Sequence, residues 1–339
     1  MIADFLNRVQ TRMEQVLPTG NPDIDSMLVQ PMRRTGKGIR PRLVLFSAGL
    51  FGPISNKVID VAVAAECIHT ASLIHDDILD DASVRRGVPS AGSLFGAKAA
   101  VLIGDHYFST AYQCLGELGL PEIVLAFSKA IRSMCLGEIS QDLHLFDADM
   151  DQALYYRHIY GKTASLFGAS ARCGALAAGA SPHQAESLAR FGEAFGLAYQ
   201  ICDDVCDVAG TESELGKPVG GDLKNGVMTL PVIKGIHSAE DGPWLREMFR
   251  SGFVSESALG RSLACLSKSG AVTAAARESL LHLDQGFQEL EPFRNLPGYA
   301  ELRTFAENLV RLPERLGMII AEEMIVCGEP IMAVSCPAT

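Results

Sequence analysis

Four carboxylates close one apolar stretch of this 339-residue chain: Asp76, Asp77, Asp80 and Asp81, within Ser72-Leu-Ile-His-Asp-Asp-Ile-Leu-Asp-Asp-Ala-Ser-Val-Arg-Arg-Gly87. On a helix, Asp76 and Asp80 share a face, and Asp77 lies three positions from Asp80. Carboxylates this close repel one another unless a cation lies between them. A hard divalent ion with oxygen ligands, most simply Mg²⁺, fits that need. Arg85 and Arg86 follow at once and suit the phosphate oxygens on the far side of such an ion. A second cluster, Asp203, Asp204 and Asp207, stands in Ala198-Tyr-Gln-Ile-Cys-Asp-Asp-Val-Cys-Asp-Val208 and closes another apolar helical run. One such cluster also fits a solvated helix end, but a pair is harder to dismiss. If the two helices pack side by side, the carboxylates can face each other across a cavity and hold several Mg²⁺ ions around one diphosphate.

The elements that must position these groups read as helices. Apolar residues recur with the helical period over Val58 to Asp81, Gly92 to Leu118, Pro121 to Phe146, Asp149 to Gly179 and Pro182 to Val208. Each is long enough to cross a domain, as in a large bundle. Gly210 to Gly226 holds five glycines and Pro218 and reads as a loop. Shorter helices are expected to about Leu316, and Cys327 to Thr339 as a tail. The fold expected is all-α: one large helical bundle around a central cavity, spanning 1–316, with 317–339 as an extension.

Composition narrows the partners. A chain 48% hydrophobic and 20% charged has ample material for a core, and its net charge of −11 speaks against nucleic acid. No uninterrupted apolar run reaches the length of a membrane span. The N-terminus lacks the basic and apolar regions of a signal peptide. Nine cysteines without paired spacing predict reduced thiols in a cytoplasmic protein. Cys202 and Cys206 lie four apart, and read as buried small hydrophobes in preference to metal ligands.

Three further motifs carry charge. Gly36-Lys-Gly-Ile-Arg-Pro-Arg42 puts Lys37, Arg40 and Arg42 where a helix begins. Cations there oppose the helix dipole, so stability alone does not explain them; the motif fits either a solvated basic turn or a second diphosphate site. Tyr160-Gly-Lys-Thr163 sets Lys162 and Thr163 inside a helical pattern, without the upstream glycine and strand of a Walker loop. Leu215-Gly-Lys-Pro-Val-Gly-Gly-Asp-Leu-Lys224 is either an ordinary surface loop or a lid that brings Lys217 to the diphosphate.

Taken in order and spacing, the basic motif at 36–41, Ser72 to Gly87, Gly161-Lys-Thr and Gln200 to Lys217 resemble the motif series of the trans-isoprenyl diphosphate synthases, or polyprenyl synthetases. The resemblance covers roughly residues 30 to 315. Thr211-Glu-Ser-Glu-Leu-Gly-Lys-Pro-Val-Gly-Gly-Asp222 is most similar to the longer-chain members, among them the catalytic subunit of bacterial heptaprenyl diphosphate synthase.

This resemblance implies that Asp76, Asp77, Asp80, Asp203, Asp204 and Asp207 hold Mg²⁺, three ions in each active site. It implies that Arg85, Lys162, Thr163, Gln200 and Lys217 contact an allylic diphosphate, and that Lys37, Arg40, His69 and Arg86 bind isopentenyl diphosphate. His69 stands seven residues before Asp76, two turns earlier on roughly the same face. The aspartates with Arg85, Lys162 and Lys217 would then be the catalytic set. A homodimer is implied, with a heteromer containing a regulatory subunit as the alternative. The family often has a lysine where this chain has Val227; Lys224 is the nearest substitute.

Product length follows from small residues before Asp76. Ala71 and Ser72 stand where short-chain relatives place an aromatic floor, and Ile68, a turn deeper, brings no ring either. The open stretch suits products of twenty carbons or more, and the family resemblance suggests about five to eight isoprene units. Tyr107, Phe108 and Phe127 are candidates for a deeper floor.

Rival readings explain less. His75-Asp76 resembles the His-Asp pair of metal-dependent phosphohydrolases, which leaves the second cluster unexplained. A class I terpene cyclase shares the ionisation step without needing Lys37 and Arg40. A purely regulatory subunit usually has degraded aspartate motifs, whereas a catalytic half that needs a partner keeps them.

Overall fold

The computed structural model describes residues 2–32, 36–85, 87–211, 219–238 and 240–311. Arg86, Lys217, the boundary expected at 316 and the extension at 317–339 lie outside them.

The described chain is all-α apart from one two-stranded hairpin. It opens with α1 (Ile2–Val16), α2 (Pro22–Met32) and α3 (Ile39–Gly49). α4 (Asn56–Leu79) carries the first aspartates, and its N-terminus is capped by the Ser55 hydroxyl, which accepts from the Val58 N–H. β1 (Val84–Arg85) and β2 (Val88–Pro89) pair antiparallel, with Gly87 at φ 75° between them. Then come α5 (Ala91–Phe95), α6 (Ala97–Gly116), α7 (Pro121–Leu143) and α8 (Gln152–Ile159). A π-helical turn, Tyr160–Ala164, leads into α9 (Ser165–Ala177) and α10 (Pro182–Ala209), which carries the second aspartates. α11 (Gly221–Lys224), α12 (Leu230–Ser238), α13 (Gly242–Arg250), α14 (Glu256–Lys268), α15 (Ala271–Leu290) and α16 (Tyr299–Val310) complete it.

The backbone groups into two compact units, the first formed by Met1–Ile131, Leu166–Gly192 and Glu289–Leu302, the second by Arg132–Ser165, Glu193–Gln288 and the chain from Arg303. In the first unit α4 packs chiefly on α6 and α3. The contact with α6 is close. A methyl group on Gly104 would stand 2.2 Å from His75 Nε2, so only glycine lets the ring lie there. That ring also hydrogen-bonds the Val101 carbonyl at 3.1 Å and tilts against Phe108. In the second unit an apolar core gathers Tyr155, Tyr156, Ile201, Val205, Leu230 and Phe249.

The structure adjusts several sequence expectations. The helix expected over Gly92 to Leu118 is broken at Gly96, whose φ of 82° a helix cannot continue. The one expected over Asp149 to Gly179 starts at Gln152 and contains the π turn. α11 interrupts the loop expected up to Gly226. The hairpin after Asp81 was not anticipated, because each strand has two residues and no alternation to read. α4 is long and apolar enough to cross a membrane by length and composition, but 61% of its most apolar window is buried within the protein, as in a core helix.

Candidate active site

The first aspartate cluster occupies the C-terminal end of α4. Asp80 caps it, with its N–H on the Asp76 carbonyl, and the last turn holds no basic residue. Carboxylates at the negative end of a helix dipole cost stability, so they need a cation from outside the helix. One comes from the hairpin. Asp81, at φ 48°, ends the helix, and the chain doubles back so that Arg85 on β1 donates Nε to Oδ1 of the buried Asp77. Asp76 is half-buried and Asp80 exposed.

Two of the groups assigned to isopentenyl diphosphate also meet in this unit. Arg40 stands in the first turn of α3, with Nη1 3.0 Å from His69 Nε2 on α4 and its guanidinium 5.0 Å above the Phe167 ring. Arginine has only donors, so His69 Nε2 accepts and the ring proton sits on Nδ1. Lys37 is exposed, and its carbonyl accepts from Arg42 Nε at 2.9 Å. The residues named for product length fall on two faces. Ser72 lies four positions before Asp76 and eight before Asp80, on their stripe of α4, whereas Ile68 lies seven before His75, on its face. Ala71, four before His75, shares that face with Ile68. Ile68 and Ala71 are fully buried and Ser72 half-buried, its hydroxyl on the His69 carbonyl at 2.9 Å. Of the aromatic candidates, Tyr107 is held to the Leu28 carbonyl by a 2.7 Å hydrogen bond.

In the second unit the π turn and α10 bring four predicted residues together. Gly161 of the π turn packs on Gly137 of α7 so closely that a Cβ on either would fall within 2.9 Å of the other segment's backbone. This approach delivers Lys162 to Glu138, with Nζ 2.9 Å from both carboxylate oxygens. Thr163 Oγ1 donates to Gln200 Oε1 at 2.7 Å, and Gln200 Nε2 donates to Asp204 Oδ1 at 2.9 Å. The other oxygen of Asp204 accepts from Tyr155 Oη at 2.7 Å. Burial, then the charge of Asp222, holds the Asp204 carboxyl well above its ordinary range, and burial also raises the Tyr155 phenol, which remains a donor. Asp203 is exposed. Asp207 is buried and receives the Asp222 N–H at the start of α11, at 3.2 Å.

Sequence reasoning missed Glu138 and Tyr155. Neither carries a signal of its own: a lone glutamate on an amphipathic helix and a tyrosine at an apolar position both read as ordinary helix residues. Only the π turn, which shifts the register of Lys162, makes Glu138 its partner.

A buried histidine close to this site sets an acid limit. His158, one turn before Lys162, hydrogen-bonds Ser140 Oγ at 2.9 Å and lies 5.6 Å from the His144 ring. Burial first, then His144, Arg157 and Lys162, lower its pKa from 6.5 to about 4. The unfolded chain therefore takes up this proton before the folded one does. Stability is full above pH 6.5 and falls as the pH drops towards about 4, by at most about 1.4 kcal/mol per pH unit. His158→Gln should flatten the melting temperature across that window; an unchanged slope would show that His158 does not set it.

The donor set suits a hard cation: aspartate oxygens at two helix C-termini, with no basic residue in the last turn of either helix. Among the described residues no three His, Cys, Asp or Glu side chains converge as a ready-made cage. Mg²⁺ fits such a set, because it is commonly held by one or two carboxylates plus water and substrate phosphates.

Comparison with known proteins agrees with these features. A family model described as Polyprenyl synthetase matches residues 21–266. The chain is 34% identical over 290 residues to heptaprenyl diphosphate synthase component 2 of Bacillus subtilis, covering 85% of this chain and 82% of that protein. Its fold matches the crystal structure of a decaprenyl diphosphate synthase from Rhodobacter capsulatus, with a TM-score of 0.86 and 29% identity over 93% of this chain and 97% of that one. It also matches a polyprenyl synthase from Caulobacter crescentus complexed with calcium and isoprenyl diphosphate, with a TM-score of 0.85 and 27% identity over 91% and 94% of the chains. With its all-α fold and both aspartate clusters in place, the chain belongs to the polyprenyl synthetase family and is a prenyl diphosphate synthase, a prenyltransferase.

Proposed function

We propose that the protein condenses isopentenyl diphosphate with an allylic diphosphate to make a linear polyprenyl diphosphate of twenty carbons or more, and within that range of about five to eight isoprene units. The observation that carries this reading is the presence of two Asp-Asp-x-x-Asp clusters, one at the C-terminal end of α4 with Arg85 on Asp77 and one near the C-terminal end of α10 with Gln200 on Asp204. Asp76, Asp77, Asp80, Asp203, Asp204 and Asp207 would hold Mg²⁺, three ions by family resemblance; the Caulobacter relative bound calcium together with its isoprenyl diphosphate. The metal supplies positive charge to the leaving diphosphate.

The chain's own groups do the rest. Arg85, Lys162 and, by sequence, Lys217 bind the allylic diphosphate and stabilise charge that grows on its bridging oxygen as the C–O bond breaks. Thr163 and Gln200 orient the same group. Arg40, His69 and Lys37, with Arg86 by sequence, hold isopentenyl diphosphate so that its double bond attacks the allylic carbon. A proton is then lost from the new chain, and diphosphate leaves. Lys162 is held by Glu138 in the structure, which keeps its ammonium group in place before diphosphate binds.

The domain is proposed to end near residue 316, and the protein to act in the cytoplasm as a homodimer. Leu136, Ile139 and Leu143 form an exposed apolar stripe on α7, and Leu143 is 77% exposed; burying it against a second copy would remove that surface from water. The Bacillus relative is named as a component, which makes a catalytic subunit needing a partner the alternative.

Incubation with isopentenyl diphosphate, each allylic primer and Mg²⁺ should give polyprenyl diphosphates, sized by mass spectrometry. Absence of any prenyl product, even with a candidate partner subunit, would sink the proposal. A cyclised hydrocarbon would indicate a terpene cyclase. The mass of the chain in solution, alone and with that subunit, separates homodimer from heteromer.

A further inference from the structure

Tyr155 and Tyr156 are neighbours on α8, and both are buried. Successive helix positions diverge by about 100°, so the two rings serve different partners. Tyr156 donates to Glu278 of α15, a carboxylate also held by Gln152 at 2.8 Å and by Lys234. Glu278 has no part in the proposed reaction. Tyr155 instead reaches Asp204 and occupies the oxygen that Gln200 leaves open.

The result is a directed chain: Tyr155 to Asp204, then Gln200, then Thr163, joining α8, α10 and the π turn. A side-chain amide has one donor end and one acceptor end. Asp204 takes the donor end of Gln200, which fixes the carbonyl end on Thr163. Were Asp204 free to rotate, no other hydrogen bond among the described residues would choose between the two orientations of the amide.

We propose that Tyr155 is a positioning residue for the allylic diphosphate: its hydroxyl fixes the rotamer of Asp204 and, through it, the Gln200 amide and the Thr163 hydroxyl. The inference rests on the reading of Asp204, Gln200 and Thr163 given above. Tyr155 touches neither substrate. Its hydroxyl holds a polar network whose geometry must be set before diphosphate arrives, since reorganisation during binding weakens it.

Tyr156 provides the matched control, an equally buried phenol hydrogen-bonded to a carboxylate elsewhere. Y155F and Y156F should both lower the melting temperature of the ligand-free protein. In calorimetric titrations with inorganic pyrophosphate and Mg²⁺, Y155F should weaken binding about ten-fold, equivalent to about 1.4 kcal/mol, while Y156F stays within about two-fold of wild type. In turnover, kcat of Y155F should fall with KM for isopentenyl diphosphate unchanged. Wild-type binding by Y155F, or equal weakening by Y156F, would overturn the inference while leaving the enzyme reading intact. Failure of the wild type itself to bind pyrophosphate or to make product would overturn both. If Y155F melts without cooperativity while Y156F does not, Tyr155 holds the fold and the inference is overturned; where Y155F folds, adding it to D204N should cost no further binding, and additive losses would refute the coupling.

Discussion

Alanine at position 137 should reduce kcat about a hundred-fold while the protein still folds. Its Cβ would stand 2.8 Å from the Lys162 backbone nitrogen and 3.1 Å from Gly161 Cα. Both neighbours are backbone, so the strain cannot be relieved by a side-chain rotation. α7 or the π turn must shift by several tenths of an ångström or more, and overpacking of this kind costs about 1–3 kcal/mol. A shift of the π turn carries Lys162 and Thr163 with it. Misplacing a binding group by about 1 Å is enough for a loss of about a hundred-fold. Gly260→Ala on α14 is the control, because nothing lies within 4 Å of its added methyl group; it should raise stability by about 0.5–1 kcal/mol and leave kcat alone. Wild-type turnover by G137A would show that the glycine contact does not position Lys162.

The same contact shows where the sequence is readable and where it is not. Asp76, Asp80, Asp203 and Asp207 could be assigned to helix faces from spacing alone, because α4 and α10 are regular over their whole length. Arg40 and His69 were both named from sequence, yet their meeting at 3.0 Å depends on how α3 packs on α4, which no local pattern reports. Glu138 and Tyr155 escaped because their significance lies in a partner on another helix. The π turn escaped for a different reason. Gly161-Lys162-Thr163 has no signal that distinguishes five residues of wider helix from an ordinary turn, and it is Gly161 together with Gly137 opposite that lets the two backbones come so close. Arg85 was assigned to the phosphate side by resemblance; the hairpin that returns it to Asp77 is too short to leave an alternating pattern.

The two small residues before Asp76 bear differently on product length. Ala71 and Ser72 looked equivalent in sequence, both small and both just before Asp76. On α4 they diverge by about 100°. Ser72 shares the stripe of Asp76 and is half-buried, so an added ring has somewhere to go. Ala71 is fully buried on the face of His75, whose ring already fills the space over Gly104. Ser72→Phe should therefore shorten the product by one or more isoprene units, since one helical turn of about 5.4 Å roughly matches one unit, with little change in melting temperature. Ala71→Phe should lose about 1–3 kcal/mol of stability and shorten the product less. Mass spectrometry of the products and thermal melts of both variants read the two effects separately. An unchanged product from S72F, or a larger shortening from A71F at full stability, would place the growing chain on the His75 face of α4 and not on the stripe below Asp76.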